Sequence, residues 1–191
     1  RLTGGAVNLE TRSGDNELRF TAARFFPTFR HIVAGEIESF RPRATLSGAL
    51  IRDRLFFLQS VEYRFSRTRV PSLAAPDDSS TSEAFNSFTQ LDLSVNKKNH
   101  VRLVAAFFPQ KARYVGLNTF NPQPVTPNIE QRGSLLSLSE QAIFKNGSFL
   151  ASAISYKTFD VDVAGQEEGP LTLLPDGNTG NYFAATHRSM P

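Results

Sequence analysis

The sequence predicts an all-β fold: an antiparallel up-and-down meander of about eight strands, forming part of a transmembrane β-barrel. Three observations carry that expectation. Aromatic and β-branched residues alternate with polar ones along most of the 191 residues, as they do when successive side chains point to opposite faces. Helical spacing is nearly absent. The connections alternate between short polar turns and long loops.

In chain order, Leu18, Phe20 and Ala22 oppose Arg19, Thr21 and Ala23. Ala44, Leu46, Gly48 and Leu50 then alternate with Arg43, Thr45, Ser47 and Ala49. The clearest segment is Leu55 to Arg67. Leu55, Phe57, Val61, Tyr63 and Phe65 share one parity, interrupted by Gln59, and Ser60, Glu62, Arg64 and Ser66 share the other, with Phe56 and Leu58 at its start. Leu91, Leu93 and Val95 alternate with Gln90, Asp92 and Ser94. Val101 to Phe108 alternates more weakly, because its second set is also largely apolar. Segments 134–144 and 149–163 are strand-like with mixed parity. A last strand begins just before Met190-Pro191.

Short turns are expected at Ile51–Arg54, Asn96–Asn99 and Lys145–Ser148. Asn146-Gly147 is the strongest of these signals, since both residue types tolerate positive φ. Long loops are expected at Ala34–Pro42, Thr68–Ala84, Gly116–Gly133 and Ala164–Gly180. Tight turns recur roughly every 45–50 residues, a supersecondary rhythm without repeated sequence.

Alternating strands suit two environments. In a soluble sandwich the apolar parity faces a shared core; in a membrane barrel it faces lipid and the other parity lines a lumen. Three features favour the barrel. Short turns lie at one end and long loops at the other. The strands exceed the usual five or six residues and reach the ~9–11 that a tilted crossing needs. Charged residues Glu62, Arg64, Asp92 and Arg102 fall on the parity opposite the apolar one, so these four are the lumen-facing candidates. A basic residue at the lipid midplane would cost about 2–4 kcal/mol.

Composition narrows the chemistry. With 21 Lys+Arg against 18 Asp+Glu, the charge of +3 implies neither nucleic acid nor an anionic surface. There is no Cys, hence no disulfide, thiolate metal site or thiol nucleophile. His31, His100 and His187 lack metal-ligand spacing. No nucleophile elbow, paired-carboxylate signature or phosphate loop stands out, so no catalysis and no cofactor are expected. Glu167-Glu168 reads as a solvated turn. Arg12, Arg19, Arg24 and Arg30, interleaved with Phe, superficially suggest a single-strand nucleic-acid platform. The arginines occupy both parities, which argues against it.

The segment Gly4-Gly5-Ala6-Val7-Asn8-Leu9-Glu10-Thr11-Arg12-Ser13-Gly14 resembles the junction between plug and barrel in TonB-dependent outer-membrane receptors. Ser47-Gly48-Ala49-Leu50-Ile51-Arg52-Asp53-Arg54-Leu55-Phe56-Phe57 resembles a hairpin of the Oar-like receptors, the type with a carboxypeptidase-regulatory-like domain. Ala49 stands where relatives tend to carry Pro. Leu91-Asp92-Leu93 leading into Asn96-Lys97-Lys98-Asn99-His100-Val101-Arg102-Leu103 is a looser third match.

That resemblance implies a plug end and linker over 1–14 and the N-terminal strands of an incomplete outer-membrane barrel over 15–191. Both chain ends read as cuts through a longer polypeptide. The implied parent imports a scarce nutrient across the outer membrane of a Gram-negative-type bacterium. Its implied partners are outer-membrane lipid, the remaining barrel and plug, an unknown nutrient ligand and an inner-membrane energy-coupling protein. Two alternatives stand beside it: a complete small pore or anchor, and a soluble β-sandwich carbohydrate-binding module.

Overall fold

A computed structural model describes residues 14–27, 32–33, 36–181 and 187–190. Residues 1–13, which hold nearly all of the expected plug end, lie outside them, as do Arg30 and His31. The fold is all-β and antiparallel, and among the described residues the only helical turn is a 3-10 turn at Gln123–Val125.

The strands are β1 (Arg19–Ala23), β2 (Ile32–Val33), β3 (Glu36–Ile37), β4 (Ser39–Phe40), β5 (Arg43–Ile51), β6 (Leu55–Arg69), β7 (Ser79–Asn96), β8 (Asn99–Phe107), β9 (Gln110–Arg113), β10 (Asn128–Ile143), β11 (Phe149–Ala164) and β12 (His187–Met190). β2 and β3 form a separate pair. The other ten form one sheet with the path β1-β5-β6-β7-β8-β10-β11-β12. Consecutive strands pair throughout, which makes the path a meander.

Two interruptions fall at prolines. β4 continues β5 across Arg41-Pro42, because Ser39↔Ser66 and Arg43↔Glu62 belong to one register against β6. β9 likewise continues β8 across Phe108-Pro109, with Ser87↔Phe107 and Ala84↔Gln110 in one register against β7. Proline has no N–H to give a ladder. Its carbonyl still accepts: Tyr63 N–H donates to Pro42 O and Phe85 N–H to Pro109 O, both at 3.0 Å. Each proline thus loses one bond of its pair and leaves the strand direction intact. Eight continuous strands result, as the alternation predicts.

The strands are longer than expected at the long-loop end. β7 begins at Ser79, so the loop after β6 is confined to 70–78 and does not extend to Ala84. β10 begins at Asn128, well before Gly133, and β3 and β4 occupy part of the stretch expected to be a loop at 34–42. Ser79–Glu83 is polar on both faces, and the others carry only isolated apolar residues (Ile37, Phe40 and Ile129), so no apolar alternation announces them.

The short turns fall where expected. Asp53 takes the left-handed conformation (φ 60°), and Arg54 N–H closes the turn on Ile51 O at 3.1 Å. Lys97-Lys98 joins β7 to β8, with Lys98 N–H donating to Asn96 Oδ1 at 2.8 Å. At the third turn Gly147 alone is left-handed (φ 82°), and its N–H donates to Phe144 O. The left-handed position therefore follows a turn begun at Phe144, and Asn146 instead accepts from Ser148 N–H through its side chain.

Among the described residues the one other sheet is the four-residue β2–β3 pair and there is no α-helix, so the large sheet has no second extended layer. Their buried apolar residues are Ala84, Val125, Ala142 and Val163. Ile154 and Tyr156 remain 71% and 68% exposed. The sheet has no sandwich core.

Candidate functional site

Directly paired residues share a face, so the register sorts every side chain. One face runs in rows perpendicular to the strands. Phe57, Leu91, Leu103, Leu138 and Ile154 make one such row; Leu55, Leu93 and Val101 begin the next. Phe20 and Leu46 lie on the same face towards β1, in the row of Gln59 and Thr89. On β6 this apolar band spans Leu55 to Phe65. At ~3.4 Å per residue and a tilt of ~40° it would be about 25 Å tall, the height of a lipid-facing band.

The band is interrupted centrally by Gln59, Ser87 and Thr89, which satisfy one another. Gln59 Nε2 donates to Ser87 Oγ at 3.1 Å and Thr89 Oγ1 to Gln59 Oε1 at 2.5 Å. Glu140, opposite Val101, is a charged exception within it, and on β10 and β11 the charged residues begin one row earlier, with Arg132 opposite Asp160 in the row of Tyr63 and Phe85.

Towards the long loops the same face changes character. The row starting at Phe65 continues through Glu83, Lys111, Glu130 and Asp162. Lys111 Nζ lies 2.9 Å from Glu130 Oε1, and Arg132 pairs with Asp162 at 3.0 Å. The apolar band thus ends in a charged margin.

The opposite face holds all four predicted residues. Glu62, Arg64, Asp92 and Arg102 share it, as their even positions in one continuous register require. They form two separate pairs. Arg64 Nε lies 3.1 Å from Glu62 Oε1 on β6. Arg102 Nε lies 2.5 Å from Asp92 Oδ1, directly across the β7–β8 ladder. Asp92 aligns with Phe56, six positions from Glu62, so the pairs are separated by about 20 Å along the strand.

Sequence reasoning singled out neither Gln90 nor Arg43 as site residues. Gln90 is fully buried and donates to Asp92 Oδ2 at 2.6 Å. Arg43 stands directly opposite Glu62. Beside the second pair lies a cleft of about 300 Å³, lined by residues including Gly14, Asp92, His100, Arg102, Ser139 and Gln141. His100 Nδ1 is 3.2 Å from Ser94 Oγ. This face is mixed, not purely polar: Leu58 and Val104 stand directly opposite the buried Gln90, and Phe88 and Leu135 share the face. Phe108 lies flat over Gly133, where a Cβ would come within 2.0 Å of its Cε2.

The long loops pack into a cap. Gln166 Nε2 donates to Gln123 O and Thr126 O at 3.0 and 2.8 Å. Asn178 N–H donates to Phe120 O at 2.7 Å, and Ser72 and Thr119 share a hydroxyl hydrogen bond of 2.7 Å. Val125, Thr126 and Asn181 are buried beneath these contacts. A cleft of about 290 Å³ beside them is lined by Asp77, Tyr114, Gln123, Pro124, Gln166 and Glu167. Glu167 also accepts from Gly180 N–H at 3.3 Å, so it is more than a solvated turn residue.

Among the described residues no group of three or more His or acidic side chains is placed to hold a metal. No helix there is long and apolar enough to cross a membrane, which does not bear on crossing by strands. No protein-family model, curated protein or solved structure matches the chain.

Proposed function

We propose that this chain is wall and loop material of an outer-membrane β-barrel, from a TonB-dependent receptor that imports a scarce nutrient. One observation carries the reading. A single-layer antiparallel sheet presents an apolar band, half-buried on β6 and exposed at Leu138 and Ile154, of about bilayer height along β6 and ending in a charged margin on the long-loop side.

In lipid every backbone group must be satisfied, so such a sheet must close on itself. Among the described residues β1 pairs only with β5, and β12 only with the last turn-distal residues of β11. Further strands from the rest of a barrel would complete these edges. This favours a portion of a larger barrel over a complete small pore. A sandwich module would instead require a second layer over the apolar band.

The mixed face would line the lumen, with Glu62, Arg64, Asp92 and Arg102 pointing inward. Its interleaved apolar residues suit a lumen filled by a folded plug better than an open aqueous channel. The plug, in turn, would engage the inner-membrane energy-coupling protein. The loop cap would face outward and contact the nutrient. The role is transport without catalysis, in the outer membrane.

The test is fractionation of the full chain after expression with an export signal in a Gram-negative host. The reading predicts recovery with the outer membrane and extraction only by detergent. A monodisperse chain in detergent-free buffer would overturn it.

A further inference from the structure

We propose that the cleft in the loop cap binds an organic cation, an ammonium or guanidinium group carried on an apolar stem. The inference rests on the reading of the cap as the part that contacts the nutrient, and it names the chemistry that the cap would accept.

The cap is built from residues 70–78, 114–127 and 165–181. These segments hold Asp77, Asp78, Glu167, Glu168 and Asp176 and no Lys, Arg or His, although the whole chain carries a charge of +3. Arg69 and Arg113 adjoin the cap in sequence, but their register places them on the outward apolar face. Charge of one sign gathered around a cleft concentrates ligands of the opposite sign.

The lining of the cleft narrows the choice of cation. Gln166 Nε2 donates to Gln123 O and Thr126 O at 3.0 and 2.8 Å, and Gln123 Nε2 donates to Ser79 O at 3.2 Å. Turning either amide over would set its oxygen against those carbonyl oxygens, so both orientations are fixed and each leaves Oε1 as an acceptor. Asp77 has no side-chain partner among the described residues. Glu167 engages one oxygen, Oε2, with Gly180 N–H at 3.3 Å. The side chains around this space of about 290 Å³ therefore offer acceptors almost throughout. A sugar hydroxyl, which must both donate and accept, finds few donors there. A cation rich in N–H groups finds its complement.

Tyr114 and Pro124 complete the lining with apolar surface. Tyr114 is held left-handed (φ 58°), with its N–H donating to Asn128 Oδ1 at 3.1 Å. Glycine or asparagine would adopt that backbone at less cost. An aromatic ring at such a position suits the face of an organic cation. A calcium ion would instead call for roughly six to eight oxygens and gain nothing from the ring.

The test titrates the full chain, refolded in neutral detergent, with cadaverine, its neutral diol analogue, acetylated and amidated Gly-Lys-Gly, and calcium chloride as separate arms. Cadaverine and the peptide should bind, more weakly as salt rises, and the diol should not. The tighter of the two cations identifies a free amine or a peptide side chain as the source. D77N/E167Q should lose on the order of tenfold in affinity. Y114N, which suits the left-handed backbone, should lose severalfold. E168Q/D176N, in the same cap but outside the cleft lining, should lose far less. Diol binding as tight as that of cadaverine, full affinity in D77N/E167Q, or calcium displacing cadaverine at equal concentration would overturn the inference. A chain that partitions into the outer membrane yet binds neither cation overturns this inference alone. A chain that binds cadaverine yet stays monodisperse without detergent overturns the barrel reading and leaves the cleft assignment standing.

Discussion

Asn16 and Asp53 exchange two hydrogen bonds across the first short turn. Asn16 Nδ2 donates to Asp53 Oδ1 at 2.6 Å, and Asp53 N–H donates to Asn16 Oδ1 at 2.9 Å. The segment entering β1 is thereby fastened to the β5–β6 hairpin, next to the left-handed Asp53. Both side chains are exposed, so the reciprocal geometry matters more than burial. Replacing Asn16 with Ala should cost about 1 kcal/mol and speed exchange of the Asp53 amide. An Asp53 amide equally protected in the variant would show that the clasp does not hold the turn.

The Asp92–Arg102 pair makes an ordered prediction. Asp92 accepts from both Arg102 and the fully buried Gln90. Asp92→Ala removes both bonds, whereas Arg102→Ala leaves the one from Gln90. Denaturant titration should therefore find Asp92→Ala the costlier by roughly 1–2 kcal/mol. Equal losses would mean that the ion pair alone matters.

Gly133 is constrained by contact, not by backbone conformation. A methyl group there would overlap the Phe108 ring, so Gly133→Ala should destabilise the β8–β10 region by about 1–3 kcal/mol. Adding Phe108→Ala should recover part of that loss. Strictly additive costs in the double variant would contradict the contact.

The two faces should differ in their tolerance of charge. Leu138 lies in the row with Leu91, Leu103 and Ile154, while its neighbour Ser137 faces the other way. Leu138→Arg should cost about 2–4 kcal/mol of membrane-inserted stability, near the midplane value, and Ser137→Arg far less. Similar costs at the two positions would contradict the assignment of faces.

How much of this was legible in the sequence depends on where apolar surroundings impose alternation. Leu55–Phe65 and Leu91–Leu93 declare their faces because one parity is nearly all apolar while the other, after Phe56 and Leu58, is polar. From that parity alone Glu62, Arg64, Asp92 and Arg102 fall together on one face. Ser79 to Glu83 is polar on both parities and therefore read as loop, although it completes the ladder opposite β6. Pro109 concealed the continuation into β9, because the surviving carbonyl bond has no sequence signature. The turn at Asn146-Gly147 lies where that dipeptide places it, with Gly147 alone left-handed. Gln90 sits on the expected parity, yet its burial depends on neighbours contributed by several strands. The contacts of Gln166 and Asn178 join loops distant in sequence, where amide side chains carry no pattern.

The most direct measurement is a scan of single cysteines, which needs no background removal because the chain contains no Cys. Positions 64, 102, 137 and 155 on the mixed face would be compared with 91, 103, 138 and 154 on the apolar face, in bilayers carrying a lipid-phase quencher. The account predicts strong lipid-phase contact at the second set and little at the first, alternating with a period of two along β10 and β11. Lipid contact at 64 and 102, or the absence of any alternation, would contradict it.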